Sequence, residues 1–327
     1  MDKAIKMKLT LGIYGDLKPD KDLGYTKGTS KLASQIEFIK THPDWSCVLV
    51  LGDSFTQGFN ADQGQGYVDH LNRYFENQKI LFVNTGVGGY GQNNELAVLK
   101  KYDELLKPQA VLLAIYSGND LTDNLTPLNR YTELSRQWVN NYQLSTTKSK
   151  EVLVRKRSGD EVLRCYQALY CHKKNTLWIH FIYHTRLGAL CKTAATKAGL
   201  WGKISKMIHP GLIDHNVIRE KGVIATEGYL KEIVTETHQR NIPLGVILIP
   251  DFWQSTDHLI ASTNYKKIRT LLKKLNIQAL DLLDSLTLSD YVPKNLSSKN
   301  DHWNNSGHKK AALAIRDYLK GRILKSS

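Results

Sequence analysis

The apolar residues of this chain fall in short runs separated by polar stretches containing Gly, Pro and Asn. Residues 47–52 read CVLVLG, and comparable runs follow as ILFVNTG from Ile80, AVLLAIYSG from Ala110, LGVILIP from Leu244 and IQALDL from Ile277. Runs apolar on both faces belong to strands of a parallel sheet that helices cover on each side. Helix-length segments lie between them. Over 67–76, Val68, Leu71 and Phe75 share one stripe, and over 93–106 Leu96, Leu99, Tyr102 and Leu106 do the same. Further helices are predicted over 229–240, 264–275 and 306–319, with a short one over 31–41. The alternation predicts an α/β fold, a three-layer α/β/α sandwich around a central, mostly parallel five-stranded sheet.

Residues 126–228 break this rhythm over far more chain than an ordinary connection uses. Their aromatics, among them Trp138, Tyr166, Tyr170, Trp178, Phe181, Tyr183 and Trp201, argue for a folded unit. The expected organisation is an N-terminal extension (1–45), a main domain (46–125 and 229–327), and a large, mainly helical insertion after the third strand (126–228). That insertion either covers the sheet or lines a cleft. Within the extension, DLKPDKDLGYTKGTS reads as extended or turn structure, since Pro19 biases Lys18 away from helix.

Charge adds to this picture without identifying a partner. Lys and Arg number 45 against 31 Asp and Glu, a formal net charge of +14. Between 141 and 210 stand 13 basic residues and only three acidic ones, Glu151, Asp160 and Glu161, so the surplus is concentrated in the insertion. Such a field draws anionic polymers or lipid surfaces. No compact basic-aromatic motif is present, so no specific nucleic acid is expected. No run approaches the roughly 18–20 apolar residues of a transmembrane segment, and the first residues lack the apolar core of a signal peptide. Cytoplasmic and extracytoplasmic locations both remain open, as does the oligomeric state.

Cys47 opens an apolar run and reads as a small buried hydrophobe. A bridge between Cys165 and Cys171 would persist only in an oxidising compartment. These two and Cys191, with His172, His180 and His184, lack the paired spacing of a zinc site. Neither metal nor cofactor is expected.

The chemistry concentrates where strands end. In Leu51-Gly-Asp-Ser-Phe-Thr-Gln-Gly58 a strand runs into a turn carrying Ser54. Ligands of open parallel sheets bind outside such C-terminal strand ends. Ser54 there is either a nucleophile or, like Asp53, a helix cap. The loop Asn84-Thr-Gly-Val-Gly-Gly-Tyr-Gly91 follows the second strand and can bring a backbone N–H to an oxyanion; its spacing is wrong for a dinucleotide fingerprint. Ser117-Gly-Asn-Asp120 follows the third strand, and Asn119 offers an amide donor. A serine nucleophile needs a general base. The segment Asn300-Asp-His-Trp-Asn-Asn-Ser-Gly-His308 supplies two histidines. His302, in the pre-helix loop beside Asp301, is the better base, and His308 reads as a structural hydrogen-bonder. Asn304 or Asn305 is expected to cap the last helix.

These four segments, in this order, resemble the blocks of the SGNH, or GDSL-type, hydrolase superfamily. The resemblance covers about 47–125 and 240–320. It implies Ser54 as nucleophile, Gly89 and Asn119 as oxyanion donors with the Ser54 N–H, and His302 as base. In this superfamily the acid that orients the histidine stands three residues before it, or two in relatives ending Asp-x-His-Trp-Asn. Here Lys299 and Asn300 occupy those places. Asp301 is the expected acid; a Ser-His dyad held by Asn300 or a backbone carbonyl, or the distant Asp290, are the alternatives. The resemblance implies hydrolysis of an ester, a small O-acyl (acetyl) group on a carbohydrate or similar substrate, through an acyl-enzyme on Ser54, and the basic insertion suits an anionic one. O-acyltransfer to a glycan hydroxyl, lipase or thioesterase activity, and an inactive glycan-binding protein are its competitors.

Overall fold

A computed structural model describes residues 17–20, 22–27, 30–125, 215–255, 258–261, 263–291 and 302–324. The chain divides into two compact units, one formed by 1–136 with 221–327 and the other by 137–220. The description below concerns the first. Nearly all of the expected insertion, with Cys165, Cys171 and Cys191, lies outside the described residues, as does Asp301.

The N-terminal segment forms a hairpin of β1 (Leu17–Asp20) and β2 (Gly24–Lys27), followed by α1 (Ser30–Thr41). The main sheet is built from β3 (Ser46–Leu51), β4 (Ile80–Asn84), β5 (Ala110–Tyr116), β6 (Leu244–Ile249) and β9 (Ala279–Asp281). Its order is β4-β3-β5-β6-β9, and every pairing is parallel. Between β6 and β9 lie the small hairpin of β7 (Phe252–Ser255) and β8 (His258–Ala261), then α7 (Thr263–Lys274).

Alternating strand residues feed two cores. Leu49, Leu51, Val111, Leu113, Ile115, Val246 and Leu248 face a layer that includes Leu96 and Leu99 of α4 (Gln92–Leu106), Leu230 and Ile233 of α6 (His215–Gln239), and Ile268 of α7. Val48, Val50, Leu112, Ala114, Ile247 and Ile249 face Val68, Leu71 and Phe75 of α3 (Tyr67–Phe75) and Ala311, Ile315 and Leu319 of α8 (Asn305–Arg322). With both faces covered, the strands are apolar throughout, as their sequence requires. The protein is a three-layer α/β/α sandwich on a five-stranded parallel sheet. Cys47 is buried, and burial pushes its thiol up to about 12. Among the described residues no helix is long and apolar enough to cross a membrane.

This order places β4 on one side of β3 and the next strand, β5, on the other. The order in which strands are added reverses at that point, and the crevice outside the carboxyl ends there is where such sheets receive ligands. Ser54 follows β3, and the Ser117–Asp120 turn follows β5.

Candidate active site

The Ser54 turn is one short helix, α2 (Ser54–Gln57). Asp53 is its N-cap: Oδ1 accepts the Phe55 N–H at 2.9 Å. The capping role that competed for Ser54 therefore falls to Asp53, and Ser54 Oγ is left to other contacts. It lies 2.7 Å from His302 Nε2 and 3.3 Å from Asp53 Oδ2. Asp53 is buried, and that burial raises its carboxyl to about 6, against the pull of the Phe55 N–H, the His302 charge and the Ser54 hydroxyl.

His302 comes from 248 residues away, and the residues that follow it are tied down. Trp303 forms an antiparallel bridge with Tyr291, and the Asn304 N–H donates to the Asp290 carbonyl at 2.9 Å. Asn304 caps α8 by accepting the Gly307 N–H at 3.1 Å. Asn305 instead reaches back to the nucleophile side, donating to Asp62 Oδ2 at 2.6 Å and accepting the Asp62 N–H at 3.0 Å. These bonds join the histidine loop to the turn that follows α2.

Asp290 is committed elsewhere. Oδ1 accepts from Ser306, and Oδ2 from the Thr287 N–H and hydroxyl and from Lys310 Nζ at 2.8 Å. Burial raises its carboxyl, but the bonds from Lys310, Thr287 and Ser306 outweigh that and hold it below the usual range. It braces the start of α8, and all four bonds would be lost if it turned to the imidazole.

The glycine loop lies against the Ser54 turn. Asn84 Nδ2 donates to the Thr56 carbonyl at 2.7 Å, and its Oδ1 accepts the Gly86 N–H at 3.0 Å. A Cβ placed on Gly88 would lie 3.5 Å from Ser54 Cβ. The Gly88 N–H is taken by Gln57 Oε1 at 2.8 Å. Gly89 has φ +82° at the third position of a turn closed by Tyr90 N–H to Val87 O, the place where a type II turn calls for glycine. Its own N–H belongs to the central amide, which the turn's closing bond does not use.

Asn119 stands directly before α5 (Asp120–Asp123) and donates through Nδ2 to Asp123 Oδ2 at 2.6 Å, while its buried Oδ1 has no partner among the described residues. The same nitrogen carries a second hydrogen. Asp120 braces the loop, accepting the Tyr116 N–H at 3.0 Å and Gln92 Nε2 at 2.6 Å. His308 is fully buried, accepting the Tyr67 N–H at Nδ1 (3.3 Å) and donating from Nε2 to the Phe59 carbonyl (3.4 Å). That pairing fixes a neutral ring, and burial lowers its protonation to about 4. It is the structural hydrogen-bonder expected from its place in the helix.

No family model matches the chain, and no curated protein does. A comparison with solved structures returns distant matches. An acetyl xylan esterase, AlAXEase, is 13% identical with a TM-score of 0.42, over 84% of this chain and 100% of that one. The psychrotrophic esterase EstA from Pseudoalteromonas sp. is 12% identical with a TM-score of 0.40, over 84% and 98%. A lipase/acylhydrolase from Enterococcus faecalis is 13% identical with a TM-score of 0.41, over 86% and 99%. The likeness is distant in every case. At these identities the likeness assigns no role to any residue.

Three contacts were not visible in the sequence. Phe55 stacks on the His302 ring with centroids 4.7 Å apart and planes at 22°. Phe59 meets the same ring at 4.7 Å and 66°. Trp303 packs edge-on against Phe55 at 4.8 Å. The only signal was an aromatic on each side of the polar Thr-Gln-Gly turn, which reads equally as core.

Proposed function

We propose that the protein is a serine-dependent ester hydrolase that removes a small O-acyl group, most simply acetyl, from a carbohydrate or similar hydroxyl. The observation that carries this reading is the 2.7 Å contact between Ser54 Oγ and His302 Nε2. It pairs a half-buried nucleophile with a base at hydrogen-bond reach, outside the carboxyl end of a parallel strand. His302 Nε2 takes the hydroxyl proton as Oγ bonds to the ester carbonyl carbon. The carbonyl π pair moves to oxygen, where the N–H groups of Ser54 and Gly89 and the second amide hydrogen of Asn119 receive it. Collapse breaks the bond to the alcohol oxygen, which leaves with the proton from His302. Water then repeats the sequence on the acyl-enzyme, releasing the acid and restoring Ser54.

Asp301 is assigned to orient the imidazole and stabilise its charged form, Asp290 being occupied. The carbohydrate assignment rests on the Asp-His-Trp-Asn ending, close to that of superfamily relatives that handle polysaccharide acyl groups, and on the basic middle of the chain, which suits an anionic polymer.

The test is hydrolysis of p-nitrophenyl acetate and labelling by a fluorophosphonate probe. Ser54→Ala and His302→Ala are expected to lower kcat by at least about 10,000-fold with an unchanged thermal melt. The adduct should map to Ser54. Hydrolysis that survives Ser54→Ala, or folded protein that forms no adduct at Ser54, would refute the reading. Asp301→Asn should impair turnover and Asp290→Asn should act on stability; the reverse pattern reassigns the acid.

A further inference from the structure

We propose that Phe55 and Phe59 form an aromatic clamp that positions the His302 imidazole, a task usually left to the triad acid alone. The inference rests on the reading of Ser54 and His302 as nucleophile and base. Phe55 lies nearly parallel to the imidazole (22°, 4.7 Å between centroids), and Phe59 stands at a steep angle to it (66°, 4.7 Å). Rotation of the imidazole about its own axis would break the stack with Phe55 and drive it into Phe59. The ring plane that aims Nε2 at Ser54 Oγ is thereby fixed from two sides.

Both clamp residues are themselves held. Phe55 is fully buried, packed against Tyr116 at 4.5 Å and the Trp303 edge at 4.8 Å. Its N–H is the one capped by Asp53. Phe59 donates its N–H to the Ser54 carbonyl at 2.9 Å, so its backbone is tied to the nucleophile residue. Its carbonyl accepts from His308 Nε2. The second histidine thus acts on the first through the Phe59 backbone and ring. An aromatic face beside the imidazole also favours the cationic ring that forms when Ser54 gives up its proton. The clamp therefore acts on the chemical step and leaves ground-state substrate binding alone.

Phe59 is only half-buried, so it is the position to vary. Phe59→Leu is expected to lower kcat for p-nitrophenyl acetate roughly 5- to 20-fold with KM unchanged. Phe59→Tyr, which keeps the ring, should restore most of that loss. Wild-type protein gives a readout independent of any variant: the carbon-bound imidazole protons of His302 should show ring-current shifts away from free-histidine positions, diminished in Phe59→Leu. Wild-type kcat in folded Phe59→Leu overturns the clamp. So does a change confined to KM, which would make Phe59 a substrate contact, and so do unshifted His302 protons. Ser54→Ala in the same assay separates the two ideas. If it is inert while Phe59→Leu is normal, the clamp alone fails; if it remains active, both fail.

Discussion

The two histidines of the Asp-His-Trp-Asn-Asn-Ser-Gly-His segment differ by environment. His302 is half-buried against Ser54, whereas His308 is sealed between the Tyr67 N–H and the Phe59 carbonyl. Burial takes the protonation of His308 from its ordinary 6.5 to about 4. In the unfolded chain it binds a proton below 6.5; in the folded protein it resists until about 4. Stability from this group is complete above pH 6.5 and drains away as pH falls to 4. The loss is on the order of 3 kcal/mol at 1.36 kcal/mol per pH unit between the two values. Urea unfolding of wild type and His308→Gln at pH 7.5 and 4.5 checks this: the variant should lose less on acidification, and an equal loss in both would sink the assignment. The sequence placed His308 correctly because one helical turn separates it from the loop. It could not reveal the clamp, since Phe55 and Phe59 have the spacing of ordinary core residues around a turn. Nor could it decide between Asp301 and Asp290, because the Lys310 that occupies Asp290 is a surface-pattern residue until α8 folds.

At the level of elements, β4 is the exposed edge of the sheet and its handling is specific. Gln35 of α1 donates to the Phe82 carbonyl at 3.1 Å and accepts the Asn84 N–H at 3.1 Å. Asn72 of α3 accepts the Phe82 N–H at 2.7 Å and donates to the Phe82 carbonyl at 3.2 Å. Two side-chain amides thus occupy the ladder positions that another strand would use, which blunts the edge against intermolecular pairing. Asn72→Ala leaves the Phe82 N–H without its partner and should cost about 1–3 kcal/mol in urea unfolding. Gln35→Ala/Asn72→Ala should in addition self-associate on size-exclusion chromatography; a monomeric double variant of wild-type stability would refute the role. The strands and the helices over 67–75, 92–106 and 263–274 were legible because their apolar periodicity is continuous. This edge device was not, since a Gln or Asn in a helix reads as a solvent-facing residue. The start of α6 was missed for a related reason. It begins at His215, well before 229, with Gly222 and Gly228 interrupting the pattern. A Cβ on Gly222 would sit 2.2 Å from the Leu121 carbonyl oxygen, so the close approach of α6 to α5 explains a residue that reads as a breaker.

For the molecule as a whole, the basic formal charge conceals an acidic interior next to the Asp53-Ser54 turn. Glu95 and Asp120 are fully buried and face a neutral donor, Gln92 Nε2, at 3.2 and 2.6 Å. Asn124 fixes that amide by donating to Gln92 Oε1 at 2.6 Å. Among the described residues no Lys or Arg pairs with either carboxyl, and no group of three or more His, Cys, Asp or Glu can hold a metal. Burial first, then the charge of Asp53, raises both well above their ordinary values of 4.5 and 3.8. Asp123 is raised by the same two causes. The native carboxyls therefore keep protons that the unfolded chain has already released. Their contribution to stability is complete below about pH 4 and is lost as pH rises through the native values, opposite in sign to that of His308. The formal +14 counts every carboxyl as ionised, so just above the ordinary carboxylate range the folded protein should carry more positive charge than its composition states. Replacing an ionised carboxylate by its amide adds one positive charge, whereas replacing a protonated one adds none. Glu95→Gln/Asp120→Asn should accordingly match wild type in electrophoretic mobility at about pH 5, while its stability changes less as pH rises from there. A mobility gain of two charges would mean that both acids are ionised in the native protein. In that case Asp53, and through it the Ser54 hydroxyl, would sit beside two buried negative charges instead of two neutral carboxyls.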